Sequence, residues 1–353
     1  MLLPTRTDPG GPREWVLDDD IIHLREWASE RVYPLPSDGK GEWTIGASST
    51  CPIRIVDTHR FVSRRHAQLT RDDRGWTLRD LASKNGLWAD DARLAEFGLA
   101  PGIEIGIGSL RLIAESRRLV ELRAHLARLL GWAYPRWHAI DEALRAIRIT
   151  ATLRAPLALS GDGDLVATMH EIHDRVFGRE RPFIVCDPRR RHAQATSRSV
   201  TSRATGLDAI EAARGGTVCV WANRLPSDYL LMRARLAHND LRVRLVVCHR
   251  DPSDAPDTAA AIRLPPLSDR AGEIERIIDE YAHDAIVMLN AKPSSFTDQE
   301  RDWLRNRRPG SLSEIARATE RLVAIREFGS IANGAARLGI SRVALARWLN
   351  RRQ

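Results

Sequence analysis

The stretch from Thr44 to Gly86 constrains this chain most. Its apolar residues come in short runs, Ile53-Arg54-Ile55-Val56, Ala67-Gln68-Leu69 and Trp76-Thr77-Leu78, each closed off by polar turn residues. Short runs between turns read as antiparallel strands rather than as helix. Three clusters punctuate them: Thr44-Ile45-Gly46, Ser63-Arg64-Arg65-His66 and Ser83-Lys84-Asn85-Gly86.

The flanks continue the pattern. Ile21 to Trp27 and Arg31 to Tyr33 read as strands, and the turn Ser37-Asp38-Gly39-Lys40-Gly41 leads into Trp43-Thr44-Ile45. A Pro101-Gly102 turn then precedes strands at Ile103 to Gly106 and Leu110 to Ala114. The spaced set of Gly46, Ser63-x-x-His66 and Asn85-Gly86 resembles the forkhead-associated (FHA) domain, a β-sandwich that binds phosphothreonine peptides. The resemblance covers about residues 20–115.

A phosphate near neutral pH carries close to two charges and three acceptor oxygens, so its site needs a compact set of donors. The resemblance implies that Ser63 supplies a hydroxyl and a backbone N–H, Arg64 a fixed charge and Lys84 a second cation. Asn85 would grip the peptide main chain through its amide, and His66 would brace the loop. One position departs from the pattern: FHA domains usually carry Arg directly after the first Gly, and this chain has Ala47. Losing a charge-assisted hydrogen bond costs about 1.5–3 kcal/mol, about tenfold to a hundredfold in affinity. The site is therefore expected to bind weakly unless Arg60 or Arg65 compensates.

At 353 residues the chain has room for two or three domains. It contains no run of eighteen apolar residues, and Met1-Leu2-Leu3-Pro4-Thr5-Arg6 lacks an apolar signal core. A soluble, cytoplasmic protein with no membrane association is expected. Cys51, Cys186, Cys219 and Cys248 lie far apart without metal spacing, so buried free thiols and no metal are expected. The net charge of +8 belongs to one end of the chain: residues 301–353 carry twelve Arg against Asp302, Glu314, Glu320 and Glu327, which already makes +8. That end is expected to meet a polyanion.

Residues 1–18, rich in Pro, Gly and charge, read as a disordered lead, and 19–115 as the sandwich. From Arg117 to Leu130, Leu119, Leu122, Leu126, Leu129 and Leu130 recur at helical spacing, giving a linker helix within 116–134. Residues 137–150 read as another helix. Apolar strands at Pro156–Gly161, Phe183–Cys186, Thr217–Trp221 and Val243–Cys248 follow, with a helix from Leu165 to Phe177; this predicts a parallel sheet covered on both faces. The ordered set Pro182-Phe183-Ile184-Val185, Ala213-Arg214-Gly215-Gly216-Thr217, Leu264-Pro265-Pro266-Leu267 and Arg308-Pro309-Gly310 resembles the AAA+ domain of sigma-54-dependent enhancer-binding regulators.

The chemistry of that family is missing here. A phosphate-binding loop needs glycines, a Lys and a Ser or Thr for Mg²⁺, whereas Ser160-Gly161-Asp162-Gly163-Asp164 puts an anion where the cation belongs. The strand after Gly216 ends in Trp221 rather than acidic residues, Ser313 replaces the nucleotide-reading Arg, and the sigma-contacting loop is absent. A degenerate, non-hydrolysing domain over 135–270, with a helical lid-like region over 271–325, and no cofactor, is the expectation. His170 and His173, spaced i, i+3 with no third ligand, are expected to be solvated helix residues.

At the C-terminus, Ser311 or Ser313 opens a helix with a capping-box pattern. After Gly329, Ser330–Leu338 and Ser341–Arg351 read as two short helices joined at Gly339, with Ala335 and Ala336 allowing a close crossing and Leu338, Ile340, Leu345 and Leu349 as core. The unit, 326–353, resembles the Fis-type helix-turn-helix that ends the same regulators. The resemblance implies that Ser341, Arg342 and Arg347 face the major groove and that Arg337, Arg351 and Arg352 reach phosphates. The whole reads as a multidomain, non-enzymatic transcription regulator: an all-β FHA sandwich, an α/β parallel-sheet domain and an all-α helix-turn-helix. Its expected partners are a phosphothreonine protein, DNA and a second copy of the chain, the last through Thr196, Thr201 or Thr205. The alternatives are an ATP-dependent sigma-54 activator and a phosphoprotein scaffold that binds no DNA.

Overall fold

The computed structural model describes residues 5–6, 19–37, 39–189, 200–238, 240–251 and 260–350. It divides into two compact units: residues 1–127, 133–154 and 172–180 form the first, and 128–132, 155–171 and 181–353 the second. Of the expected disordered lead, Thr5–Arg6 pairs as a strand; the remainder lies outside the described residues.

The first unit carries strands β1 (Thr5–Arg6), β2 (Ile21–Glu26), β3 (Val32–Pro34), β4 (Gly41–Gly46), β5 (Ile53–Arg54) and β6 (Ala67–Asp72). It continues with β7 (Gly75–Asp80), β8 (Leu87–Ala89), β9 (Ala92–Leu94), β10 (Glu96–Gly98), β11 (Glu104–Ile107) and β12 (Leu110–Ser116). These make two six-stranded sheets, ordered β1-β10-β7-β6-β4-β5 and β3-β2-β12-β11-β8-β9. Alternation sets which side faces in: Ala67 and Leu69 of β6 and Trp76 and Leu78 of β7 are buried, while Gln68, Thr70, Thr77 and Arg79 are not. Their hairpin closes through a two-residue turn, Asp72 pairing with Gly75 and its carboxylate accepting the Arg74 N–H at 2.7 Å. The buried faces merge into one core that includes Leu24, Ile45, Leu69, Leu78, Phe97 and Ile105.

Helix α1 (Arg117–Leu130) follows, as the Leu spacing predicts, and then α2 (Trp137–Leu153). The sequence reading assigns α2 to the following domain; here it groups with the sandwich. The reason is a buried charge pair that no local pattern announces. Arg25 of β2, its side chain 1% exposed, reaches Asp141 of α2 at 2.6 and 3.0 Å and Glu115 of β12 at 2.8 Å.

The second unit is built on a parallel sheet of β13 (Leu157–Ser160), β14 (Phe183–Cys186), β15 (Thr201–Arg203), β16 (Thr217–Trp221), β17 (Arg244–His249) and β18 (Ala260–Arg263), ordered β15-β14-β16-β17-β13-β18. Strands β13, β14 and β17 are buried along their whole length, as the near-continuous apolar runs require. Helices α3 (Leu165–Phe177), α4 (Gly206–Ala212) and α5 (Tyr229–Ala237) lie between strands, and α6 (Ile274–Leu289), α7 (Asp298–Asn306), α8 (Leu312–Glu327), α9 (Ile331–Arg337) and α10 (Arg342–Asn350) follow the sheet. All four cysteines are buried free thiols. Burial pushes the Cys186 thiol up to about 12. The two histidines of α3 are not solvated as expected: His170 stacks on Phe183 with ring centroids 4.8 Å apart, and His173 is fully buried against Phe177. Among the described residues, no helix is long and apolar enough to cross a membrane, and no group of three or more His, Cys, Asp or Glu could hold a metal.

Candidate functional site

Two loops meet at one end of the sandwich, the first between β5 and β6 and the second between β7 and β8. The ring of His66 joins them. Its Nδ1 accepts the Ser63 N–H at 3.1 Å, and its Nε2 donates to the Gly86 carbonyl at 3.1 Å. Only the neutral tautomer protonated on Nε2 satisfies both bonds. Burial accordingly depresses the imidazole below its usual range, against the pull of the Gly86 carbonyl and the Asp80 charge. A second link runs directly between the loops, the Lys84 N–H donating to Ser63 Oγ at 3.1 Å.

This changes what Ser63 can offer. Its backbone N–H, expected to meet the ligand, is already spent on His66, whereas its hydroxyl has accepted one bond and keeps its own proton to donate. The Asn85 amide donates to the Phe61 carbonyl at 2.7 Å, which orients the side chain and leaves its oxygen and second N–H. Arg64 and Lys84 are exposed beside Ser63, so the four residues singled out from the sequence converge on the paired loops.

Close packing holds the first loop. A Cβ at Gly46 would stand 2.8 Å from the Arg64 carbonyl carbon and 2.9 Å from the Ser63 oxygen, so only Gly lets β4 approach. The Ala47 N–H donates to the Ser63 carbonyl, while the Ser48 N–H and the Cys51 thiol both donate to the Arg64 carbonyl, at 3.0 to 3.1 Å. Ala47 itself packs against the sandwich core and supplies no charge to the loops.

Three residues that the motif reading passes over also shape the site. Asp57 accepts the N–H groups of His59 and Val62 at 2.9 and 2.7 Å; burial works against its charge, but these bonds hold the carboxyl below its usual range. Gly108, at φ +65, backs onto Phe61, a Cβ there falling 2.7 Å from the Phe61 carbonyl carbon. Arg93 of edge strand β9 lays its guanidinium over Gly86, where a Cβ would come within 2.9 Å of Cζ. A DxxxxV spacing, one isolated glycine and one of the chain's many arginines are too common to have marked them.

In the second unit, the turn from β13 into α3 is closed by its own residues. The Asp164 N–H donates to Ser313 Oγ at 2.9 Å, and the Asp164 carboxylate accepts the Ala167 N–H at 3.2 Å, so an anion already occupies the first turn of α3. Gly163 is hemmed in by Ser311 and Ser313, and Gly161 by Leu264. Thr201 is exposed on edge strand β15, and Thr205 caps α4, its hydroxyl hydrogen-bonded to Asp208 at 2.6 Å; Thr196 lies outside the described residues.

The C-terminal helices α8, α9 and α10 follow the expected boundaries, and Ser311, not Ser313, is the N-cap of α8. The small residues that permit close approach are Gly334 and Ala335. A Cβ at Gly334 would stand 3.1 Å from the Ala324 backbone of α8, whereas Ala336 is exposed. Leu345 is fully buried and Leu338, Ile340 and Leu349 are half-buried. Arg337, Arg342 and Arg347 are exposed and make no ion pair among the described residues; Arg351 and Arg352 lie outside them. Ser341 is exposed, but its hydroxyl accepts the Ala344 N–H at 3.1 Å and caps α10. Val343, 56% exposed between Arg342 and Arg347, adds an apolar contact that a charge-based reading misses.

The FHA domain family matches residues 43–108. No curated protein matches the chain. Among solved structures, one from a study of phosphothreonine-dependent FHA domain interactions is 31% identical, covering 27% of this chain and 95% of that one with a TM-score of 0.24. The FhaA FHA domain, complexed with the intracellular domain of another protein, is 34% identical over 26% of this chain and 96% of that one, TM-score 0.23. NtrX from Brucella abortus in complex with ADP is 14% identical over 66% of this chain and 71% of that one, TM-score 0.38. Residues 43–108 of the chain are thus an FHA domain.

Proposed function

We propose that this chain is a non-enzymatic transcription regulator that docks phosphothreonine proteins through the loops joined by His66 and DNA through α9 and α10. The observation that carries the first half is the convergence of Ser63 Oγ, Lys84 and Asn85, held in place by hydrogen bonds of 2.7 to 3.1 Å. Ser63 donates its hydroxyl to a phosphate oxygen, Arg64 and Lys84 balance its charge, and Asn85 binds the peptide main chain. With Ala47 packed into the core, this set binds weakly and depends on Ser63. A Ser/Thr kinase creates the ligand, and docking recruits the regulator, including to a phosphorylated second copy.

The exposed cations of α9 and α10 support DNA binding. Arg337 and Arg351 contact phosphates, Arg342 and Arg347 reach base edges, and Ser341 orients the start of α10. Val343 adds an apolar surface suited to a thymine methyl. The internal cap at Asp164 supports a middle domain that neither binds nor hydrolyses nucleotide, which disfavours ATP-driven sigma-54 activation. In this reading the protein acts in the cytoplasm by docking alone.

The test is a pair of titrations on the full chain. A fluorescent phosphothreonine peptide should bind, its unphosphorylated twin should not, and Ser63→Ala should weaken binding about tenfold or more. Duplex DNA should be retarded in a gel by the wild type and not by the double variant Arg342→Glu, Arg347→Glu. Equal binding of the two peptides sinks the first half; undiminished retardation sinks the second.

A further inference from the structure

Arg93 is an unspent cation at the edge of the phosphopeptide loops. It sits on edge strand β9, opposite Trp88 of β8, and its side chain turns back over Gly86. Gly86 lacks a Cβ and takes φ +73, and the guanidinium fills the space a side chain would occupy there. Arg93 is exposed and makes no hydrogen bond or ion pair among the described residues. A planar fork of five donors, lying over the Gly86 backbone and without a carboxylate partner among the described residues, is suited to two-pronged capture of an anion.

Its position says which anion. The phosphate belongs at Ser63, whose hydroxyl is bonded to the backbone of Lys84; Asn85 is the next residue along, and Arg93 covers the one after that. The guanidinium therefore lies past the phosphate in the direction the loop runs, beside the amide that grips the peptide main chain. We propose that Arg93 is a specificity-determining residue that pairs with an acidic side chain flanking the phosphothreonine, so that the ligand is an acidic phosphothreonine segment. This rests on the phosphopeptide reading above. The surrounding charge agrees with it: Arg64, Arg65 and Lys84 are all exposed around the same loops.

The test uses the full chain and two fluorescein-labelled phosphothreonine peptides, one flanked on both sides by Asp and Glu, the other by Asn and Gln at the same positions. Anisotropy titrations should show the wild type preferring the acidic peptide roughly tenfold. Arg93→Gln should abolish the preference, bringing the acidic peptide to the affinity of its neutral twin, and Arg93→Lys should keep part of it. Circular dichroism melts of both variants establish that the sandwich is folded. A preference that survives in folded Arg93→Gln overturns the assignment, as does an equal weakening of both peptides, which would make Arg93 a phosphate or loop residue. Ser63→Ala separates the two readings: if it changes neither peptide's binding, the phosphopeptide reading itself fails, whatever Arg93 does.

Discussion

His66 holds two loops with one ring, and it can do so only while neutral. Protonation would turn Nδ1 from acceptor to donor and set it against the Ser63 N–H. Because burial lowers its folded-state pKa, the unfolded chain binds the proton more readily, and stability is lost as pH falls through the ordinary imidazole value. We expect an NMR titration of His66 with a midpoint below about 6.5, and a phosphopeptide affinity that falls over the same window. Glu115 behaves differently: burial opposes its charge, but His23 and Arg25 hold the carboxyl below its usual range, so its contribution persists to lower pH. Gly46 makes a second residue-scale prediction. Gly46→Ala should cost about 1–3 kcal/mol in urea unfolding, because the methyl must displace the Arg64 carbonyl. Ser63, Lys84 and Asn85 were legible from their spacing. Arg93 was not, since its role depends on which side of a hairpin its guanidinium crosses.

At the scale of elements, boundaries were readable and partners were not. The Leu periodicity from Leu119 onward marks α1 to the residue, and the start of α8 is narrowed to Ser311 or Ser313, of which the structure selects Ser311. Nothing in the residues of α2 says that Asp141 pairs with Arg25, 116 positions earlier. Asp141→Ala should destabilise the sandwich unit by about 3–5 kcal/mol, the cost of leaving a buried charge uncompensated; a change within experimental error in urea would show that Arg25 is satisfied by Glu115 alone. The α8–α9 contact is equally specific. Gly334→Val places a branched side chain against the Ala324 backbone and should lower the melting temperature of the C-terminal helices and weaken DNA retardation together. Ala336→Val, at an exposed position, should do neither.

For the whole molecule, charge and chemistry are separable. The +8 confined to residues 301–353 predicts DNA affinity that falls steeply with salt. Each phosphate contact adds about 0.9 to the slope of log K against log salt, so Arg337→Ala should flatten it by about 1. Mg-ATP should show no saturable binding to the intact chain by calorimetry, since the first turn of α3 already holds the Asp164 carboxylate; saturation would revive the ATPase reading.

Leaving the short strands β15 and β18 unread, the sequence alone determined the parallel character of β13, β14, β16 and β17 and the motif at Gly46, Ser63 and Asn85. These follow from short-range patterns: alternation, continuous apolar runs and turn residues at set spacing. Tertiary structure decided which donors remain free once the loops are joined. Ser63 loses its N–H to His66, Ser341 turns its hydroxyl oxygen to capping α10, and Arg93 makes no hydrogen bond among the described residues. A donor's availability depends on neighbours distant in the chain, and hydrogen-bond satisfaction becomes countable only when those neighbours are in place.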